Sequence, residues 1–449
     1  MADEPRDDAD STNPEDQFRD MLRDFLSGNS ELDPAKLAGA AGLPNDPEMV
    51  AQLINQLQSA LQNSGEGINW GLALEQAKGI AGRGTVVSLP AERSQLEQAL
   101  HVASLWLDEV TSISELTAAP RLLSRQEWVA ATMPVWTQLA EPVAGSIANS
   151  LTDVLTQSAP EEMGDMIQGA SQLMRNVGGT LFAMQLGAVV GQLSSEVVSG
   201  GDIGIPLLDG EYAAVLPQNV LGFAAGLDIP IDQVQLYLAV RELAHARLFR
   251  HAKWLRLQLL TSITEFARGI RIDTDRLQEL AADFDPSNPE ELRSAMTSGA
   301  LIPPKTDDQL AALGRLETLL ALIEGWVDVV TAQATRRLPS SAAIAETVRR
   351  RRASGGPAES AFATLVGLEL RPRRLREAAA MWQAVSDAVG DDARDALWSH
   401  PDLVPTGEDI DSPVGLVTRI TAGAPQPDDI DQAIEDLLND DTNDRPQED

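Results

Sequence analysis

The sequence V-Q-L-Y-L-A-V-R-E-L-A-H-A-R-L-F-R-H, residues 234–251, decides how the rest of the chain is interpreted. Its apolar residues recur every three or four positions, which is the spacing of one face of an α-helix. On a helical wheel, the residues closest to the direction of His245 are Val234, Leu238, Leu248 and Phe249. We therefore predict a helix whose apolar face, including His245, points into the core.

The same segment contains R-E-L-A-H at Arg241–His245, which is close to a metal-binding motif. Helical zinc peptidases carry H-E-x-x-H because two imidazoles one turn apart reach the same zinc ion, while the intervening Glu polarises the attacking water. Arg241 stands at the position of the first His, and a guanidinium has only donors, so it cannot ligate a cation. Glu242 and His245 remain as neighbours on one helix surface. A metal here would need further ligands.

Two residues are candidates for a further ligand. His251 follows His245 at the six-residue distance used by one branch of these peptidases, but Leu248 stands where that branch needs a glycine. In a continuous helix the two histidines would be about 9 Å apart along the axis, too far for one zinc, so a break near Phe249 would be required. Glu265 follows His245 by twenty residues, the spacing of the Glu ligand in the other branch. We prefer Glu265.

A purely structural interpretation competes with the metal site. A histidine on a buried helix face is more often a hydrogen-bonded core residue than a ligand. The guanidinium of Arg241 would then fill the space of a metal and pair with Glu242 or Glu265. Both interpretations are open from the sequence.

Composition and charge exclude several classes of function. The chain has 449 residues and a formal net charge of −34, so its surface repels phosphate backbones and anionic lipids, and we expect no nucleic-acid partner. It has no cysteine, which excludes disulfides, thiolate metal sites and a cysteine nucleophile. The acidic N-terminus does not look like an export signal, so we expect a cytoplasmic protein. The most apolar stretch, Val177–Val198, is interrupted by polar residues, which predicts a buried helix and no membrane span.

The organisation along the chain predicts a mainly α fold, a large helical body with little or no β-sheet. We expect a disordered acidic N-terminus at 1–15, a small helical appendage at 16–64, a helical body at 68–415 and an acidic C-terminal tail at 423–449. Strand signals are confined to Thr85–Leu89 and Tyr212–Leu216. The basic run Arg349–Arg352 is expected to neutralise acidic groups of the chain itself.

Several blocks of sequence together resemble a known family. They are N-W at Asn69, W-L-D at Trp106, R-Q-E-W-V at Arg125, R-E-L-A-H-A-R-L-F-R-H-A-K-W-L-R at Arg241, G-L-E-L-R-P-R-R-L-R-E-A-A at Gly367 and R-D-A-L-W-S-H-P-D-L-V-P-T at Arg394. With these blocks, most of residues 68–415 resembles the zincin-like, zinc-dependent metallopeptidases of actinobacteria. Within that family the chain is similar to the branch with R-E-x-x-H in place of H-E-x-x-H.

The resemblance implies a zincin-like central helix in the helical body and a hydrolase acting on a peptide or protein. By transfer, Glu242 is the general base, His245 a zinc ligand, and Glu265 and His251 the candidates for a further ligand. Our first hypothesis is thus a cytoplasmic zinc-dependent peptidase whose zinc-bound water is activated by Glu242. The alternative is a catalytically inactive zincin-like scaffold or interaction protein in which Arg241 replaces the metal.

Overall fold

A computed structural model describes residues 68–158, 179–180, 182–208, 212–268, 305–353, 357–368 and 374–422. The predicted N-terminus at 1–15, appendage at 16–64 and tail at 423–449 lie outside these residues. The described part is mainly α-helical, as the sequence predicts. Within it, no helix is both long and apolar enough to cross a membrane.

The described part of the chain is built mainly from α-helices. In chain order they are α1 (Trp70–Ala81), α2 (Pro90–Asp108), α3 (Arg125–Ser158), α4 (Pro217–Ala225), α5 (Ile231–His251), α6 (Lys253–Arg268), α7 (Asp307–Ala334), α8 (Ser341–Ala353), α9 (Pro357–Val366), α10 (Leu375–Val389), α11 (Asp391–Ala396), α12 (Gly407–Asp411) and α13 (Pro413–Ala422). Residues 182–193 are also helical and largely buried, which agrees with the prediction for the apolar stretch Val177–Val198 as far as it is described. A 3₁₀ turn spans Pro401–Leu403.

Helix α5 is the central element and carries the R-E-L-A-H motif. It begins after Pro230, with Asp232 in its first turn, where a carboxylate interacts favourably with the helix dipole. It ends at Ala252, whose backbone leaves the helical conformation before α6 starts at Lys253. Helices α2, α4, α6, α7 and α8 and one short strand pack around it. All the residues predicted to share the face of His245 are buried, so that prediction is confirmed.

Helix α7 crosses α5 and supplies its most important contacts. Its start is fixed by a capping box, in which the Thr306 hydroxyl accepts from the Gln309 N–H at 3.2 Å and the Gln309 side chain accepts from the Thr306 N–H at 3.0 Å. From Leu319 to Thr331 every residue is buried, including the two acids Glu324 and Asp328. The helix therefore carries carboxylates into the interior.

The β structure of the described part is confined to two-residue strands. Strand β1 (Arg121–Leu122) pairs in parallel with β2 (Ala214–Val215), and Ser199 forms an antiparallel bridge with Val215. Strand β2 lies within the segment predicted at Tyr212–Leu216. The segment Thr85–Leu89 forms no strand, because the side-chain amide of Gln218 bonds both Gly84 O and Val86 N there. Little β-sheet was expected, and little is found.

A buried carboxylate on α11 joins several parts of the body. Asp395 Oδ2 accepts from the Thr111 hydroxyl at 2.6 Å and the Ser112 N–H at 2.9 Å. Its Oδ1 accepts from Trp326 Nε1 at 2.9 Å and Arg394 Nε at 2.7 Å. The other nitrogens of this arginine donate to Gln333, Ser386, Asp391 and the carbonyl of Val110. We call Thr111, Ser112, Trp326, Arg394 and Asp395 the Asp395 cluster. Its hydrogen bonds hold α7 and α11 to the segment that follows α2.

Candidate metal centre

Glu242 of α5 is buried and its carboxylate holds two other segments in place. Oε2 accepts from the Gly201 N–H at 2.7 Å, Oε1 accepts from the Ala214 N–H at 2.9 Å, and the Ser199 hydroxyl also donates to this carboxylate. Burial raises the pKa of Glu242 to about 7, although the three hydrogen bonds act against this rise. Both oxygens of the predicted general base are thus engaged by the protein itself.

The loop S-G-G-D-I-G, residues 199–204, lies directly on this face of α5. A Cβ at Gly201 would come within 2.7 Å of the His245 Cβ and 3.0 Å of Glu242 Oε2. Gly204 has φ +80°, and a Cβ there would lie 2.6 Å from Glu324 Oε1. A side chain at Gly201 would collide with the motif and one at Gly204 with Glu324, so the two glycines allow the loop to lie this close to both.

His245 is oriented by its own helix and faces a carboxylate of α7. Its Nδ1 lies 3.0 Å from the carbonyl oxygen of Arg241, and its Nε2 lies 3.0 Å from Glu324 Oε1. Burial lowers the pKa of His245, and the Glu324 carboxylate opposes this shift. In a neutral ring the proton sits on Nδ1, because the carbonyl is an acceptor, so Nε2 presents a lone pair to another acceptor. Such a pair requires a proton or a cation between the two atoms.

Two arginines also bind the Glu324 carboxylate. Arg241 Nη2 donates to Oε2, and Arg352 Nη1 of α8 contacts Oε1 at 2.6 Å. Burial alone would raise the pKa of Glu324, but Arg352, Arg241 and His245 outweigh it and hold the pKa well below its usual range. We call Arg241, His245, Glu324 and Arg352 the Glu324 cluster. In it one carboxylate already faces two permanent cations.

The residues present do not fit a zinc ion. His245 Nε2 and Glu324 Oε1 are suitable ligand atoms, but a divalent cation beside them would face the guanidiniums of Arg241 and Arg352. At 4 Å each pair of unit charges of like sign repels by about 4 kcal/mol at an effective dielectric constant near 20. In the part of the chain that the structure describes, no group of three or more His, Cys, Asp or Glu is placed to hold a metal ion.

The two predicted further ligands lie elsewhere. His251 is the last residue of α5 and is exposed, and the helix continues past Phe249 to that point, so the break that would bring His251 back is not there. Glu265 lies on α6 and is exposed as well. Arg241 pairs with Glu324, where Glu242 or Glu265 was expected. The structure thus places Glu242 and His245 on one covered face of α5 and brings Glu324 to His245, and it leaves His251 and Glu265 outside.

Glu324 and Arg352 were not identified as part of the site from the sequence. A signal for Glu324 exists, because it stands inside the apolar run A-L-I-E-G-W-V at residues 321–327, and a carboxylate in such a run needs a buried partner. What the sequence does not reveal is the partner, which lies 79 residues away at His245. Arg352 belongs to the basic run for which intramolecular pairing was expected.

A small cavity opens beside the motif. Its volume is about 30 Å³, and its lining consists of Gly200, Gly201, Pro206, Leu208, Tyr212, Glu242, His245, Ala246 and Phe249. That volume holds about one or two water molecules. Glu242 and His245 therefore contact a space that is too small for a peptide.

Comparisons with known proteins agree with this architecture. The model of the family described as "Zincin-like metallopeptidase" matches residues 68–417. A crystal structure from Chloroflexus aurantiacus, described as that of "a putative hydrolase with a novel fold", has 19% sequence identity, a TM-score of 0.55 and coverage of 80% of this chain and 100% of its own. At that identity the likeness shows the fold. The search of curated proteins found no match. Since the family model matches most of the chain, including α5 and its R-E-L-A-H motif, this chain belongs to the zincin-like metallopeptidase family.

Proposed function

We propose that this chain is a metal-independent, non-proteolytic member of its family that acts as a helical scaffold for binding a peptide or protein partner. The observation that carries the proposal is the ion pair between Arg241 and Glu324. It puts a guanidinium at the head of the motif against the carboxylate nearest to His245. The Arg241 guanidinium thus supplies the positive charge that a metal ion would supply. Unlike a metal ion, it cannot ligate a water molecule.

The R-E-L-A-H motif is buried under other residues, which supports the same proposal. His245 is 1% exposed and Glu242 is 2% exposed. Residues 199–204 cross the helix at van der Waals distance, and both Glu242 oxygens accept hydrogen bonds from the backbone. A peptidase needs its general base within hydrogen-bond reach of a water next to the substrate. Among the described residues, both Glu242 oxygens already accept protein hydrogen bonds, and the cavity beside this side chain holds only about one or two water molecules.

The zinc-dependent peptidase that the sequence favoured is the competing proposal. It is supported by the family and by the convergence of His245 and Glu324, which are ligand types for zinc. In that proposal Glu242 activates a zinc-bound water. We favour the scaffold over the peptidase because the guanidiniums of Arg241 and Arg352 both contact the Glu324 carboxylate. A cytoplasmic location and the lack of a nucleic-acid partner remain predictions from the sequence.

Metal content separates the two proposals. The full chain should be produced without a histidine tag, purified without chelator and measured by elemental analysis. We expect well below one zinc per chain, and cleavage of an unstructured protein such as casein no faster than by a Glu242→Gln variant. The variant is a matched control because it keeps the size and burial of the side chain and removes the base.

Either of two results would overturn the proposal. If the purified chain carries one zinc ion and cleaves casein, and if Glu242→Gln keeps the zinc but loses the cleavage, the protein is a peptidase with Glu242 as its general base. Zinc without any difference between the two proteins would also remove the metal-independent scaffold, and it would leave Glu242 without a catalytic role.

A further inference from the structure

We propose that the exposed arginines where α8 meets α10 form a docking surface for the acidic C-terminal segment of this same chain, residues 423–449. The surface consists of Glu346, Arg350 and Arg376, and we call it the Arg350 surface. Its occupant lies outside the described residues. This docking goes beyond the proposed function, and it stands whether or not the chain is a peptidase.

The basic run of α8 is divided between the interior and the surface. Three of its arginines bind acids of other segments, namely Arg349 with Asp328 at 2.7 Å, Arg351 with Asp202 at 3.2 Å and Arg352 with Glu324 at 2.6 Å. The side chain of Arg350 is 78% exposed instead, and its Nε donates to Glu346 Oε1, one turn earlier on the same helix, at 2.9 Å. Neutralisation inside the body therefore accounts for three arginines of the run and leaves Arg350 at the surface.

Arg376 of α10 brings a second exposed cation to the same carboxylate. Its side chain is 73% exposed, and its Nη2 lies 3.6 Å from Glu346 Oε2. The hydrogen bond from Arg350 holds the pKa of Glu346 below its ordinary value, so this carboxyl is ionised at neutral pH. The three side chains together then carry one net positive charge. This charge faces solvent, where a further anion can approach it.

The sequence around the Arg350 surface is basic in an otherwise acidic chain. Residues 349–376 contain eight arginines and two glutamates, although the whole chain has a formal net charge of −34. Residues 423–449 have the opposite composition, with ten acidic side chains and one arginine. Complementary charge of this kind favours the association of the two segments.

The net charge of the chain also discriminates between possible occupants. It repels nucleic acids and anionic lipids, and it repels a separate acidic protein in the same way. A segment of the chain itself is held near the surface by the covalent backbone, and such a tether gives an effective concentration on the order of 1 mM. The charges therefore favour the C-terminal segment over an acidic partner from solution.

The C-terminal segment also begins within reach of the Arg350 surface. Arg374, at the start of α10, binds Asp411, and α13 begins two residues after this acid and packs on α10. The ten residues of α13 are about 15 Å long. Fully extended, residues 423–449 can span about 90 Å, several times the length of that helix. Their acids can therefore return to Arg376.

Docking of this kind has a consequence for any partner of the surface. Exposed ion pairs are individually weak and are screened by salt, so the segment is held by several of them together and is released as ionic strength rises. A partner that binds Arg350 and Arg376 must first displace residues 423–449. The C-terminal segment thus acts as an internal competitor for this surface.

Cross-linking in the full chain tests the docking. Because the chain has no cysteine, two introduced thiols report on one distance. Ala343→Cys lies on the exposed side of α8, one turn before Glu346, and is combined with Asn439→Cys in the C-terminal segment. A bismaleimide is added to dilute protein, and mass spectrometry separates cross-links within one chain from those between two chains.

A second thiol pair is the matched control. Ala91→Cys with Asn439→Cys uses another exposed alanine, at the start of α2, which has more acids than bases. In about 0.02 M salt we expect cross-linking within one chain to be about tenfold faster for the α8 pair than for the α2 pair. In about 0.5 M salt the difference should disappear.

Charge variants identify the arginines that hold the segment. In the α8 pair, adding Arg350→Gln and Arg376→Gln should lower the cross-linking rate about tenfold, to that of the control pair. Adding Arg83→Gln and Arg93→Gln removes the same charge from other exposed positions and should leave the rate unchanged. All four arginines are exposed, so the variants are expected to fold, and thermal unfolding checks this.

Any of four results would contradict the docking. Equal rates for the two thiol pairs, or a rate that survives the loss of Arg350 and Arg376, would place the segment elsewhere. Cross-links that join only two chains would make a second copy the occupant. Binding of a single-stranded oligonucleotide that is lost with Arg350→Gln and Arg376→Gln would make it a nucleic acid. Each of these outcomes is independent of zinc content and casein cleavage, so the proposed function is tested separately.

Discussion

Glu324 lies on helix α7 and Asp395 bonds Trp326 of the same helix, and the surroundings of these two buried carboxylates differ in charge. In the Asp395 cluster, Asp395 has one guanidinium, that of Arg394, and every nitrogen of that guanidinium has an acceptor. In the Glu324 cluster, one carboxylate has two guanidiniums, and Nε of both Arg241 and Arg352 is buried without an acceptor among the described residues. The first cluster is balanced and the second has an excess of positive charge.

This difference in charge and hydrogen bonding bears on the role of each cluster. A balanced, fully hydrogen-bonded group is typical of a structural contact, because each polar atom regains the interactions it loses on burial. Incompletely bonded guanidiniums around one carboxylate cost free energy that packing elsewhere must offset. Both clusters are buried, so burial does not distinguish them. They differ in net charge and in whether every polar atom has a hydrogen-bond partner.

The largest expected effect is the loss of stability when the Glu324 carboxylate is removed. Glu324→Gln leaves Arg241 and Arg352 buried without the carboxylate that both contact, so we expect the free energy of unfolding to fall by about 3–5 kcal/mol. Urea denaturation followed by circular dichroism measures this. Asp308→Asn, an exposed acid in the first turn of the same helix, is the control and should cost about 0.5 kcal/mol. Similar costs for both variants would mean that Glu324 is not ion-paired as described.

The next prediction compares the loss of stability when one arginine is removed from each cluster. Arg394→Met takes away the guanidinium of Asp395 and should cost about 3–5 kcal/mol, because a buried carboxylate loses its counter-charge. Arg241→Met should cost only about 1 kcal/mol, since Glu324 keeps Arg352 and His245 and the repulsion between two guanidiniums disappears. The same urea experiment gives both values. Equal costs would contradict the difference between the clusters.

The third prediction concerns the pH dependence of stability that Glu242 adds beside the Glu324 cluster. Its pKa is raised to about 7 in the folded chain, above the value near 4.3 of a free Glu. Between these values the folded state holds a proton that the unfolded state has lost, so this group lowers stability as pH rises. From pH 5 to pH 7 the loss is about 2 kcal/mol for a fully buried group.

A glutamine at position 242 cannot titrate. The difference in unfolding free energy between Glu242→Gln and wild type should therefore shift in favour of the variant by about 2 kcal/mol over that range. Other titrating groups cancel in this difference. A constant difference from pH 5 to pH 7 would show that the carboxylate ionises in the folded chain as it does in water.

Local sequence patterns predicted the features that depend on near neighbours. The buried face of α5 and the helical class follow from residues three or four positions apart, and the R-E-L-A-H motif identified Glu242 and His245 as buried polar residues of that helix. The pairing of His245 with Glu324 depends on how α7 crosses α5, which no local pattern contains. The spacing that selected Glu265 assumes that the next helix returns over the motif. Helix α6 instead turns Glu265 outward to solvent.

The hydrogen bonds of Glu242 also have a consequence for local motion. One carboxylate holds the amides of Gly201 and Ala214, which belong to different segments of the chain. This side chain ties the two amides to α5 without a covalent link, and their hydrogen bonds offset the conformational entropy that is lost when the two segments are held in place. Exchange of these two amides with solvent therefore requires a shared local opening event, separate from global unfolding.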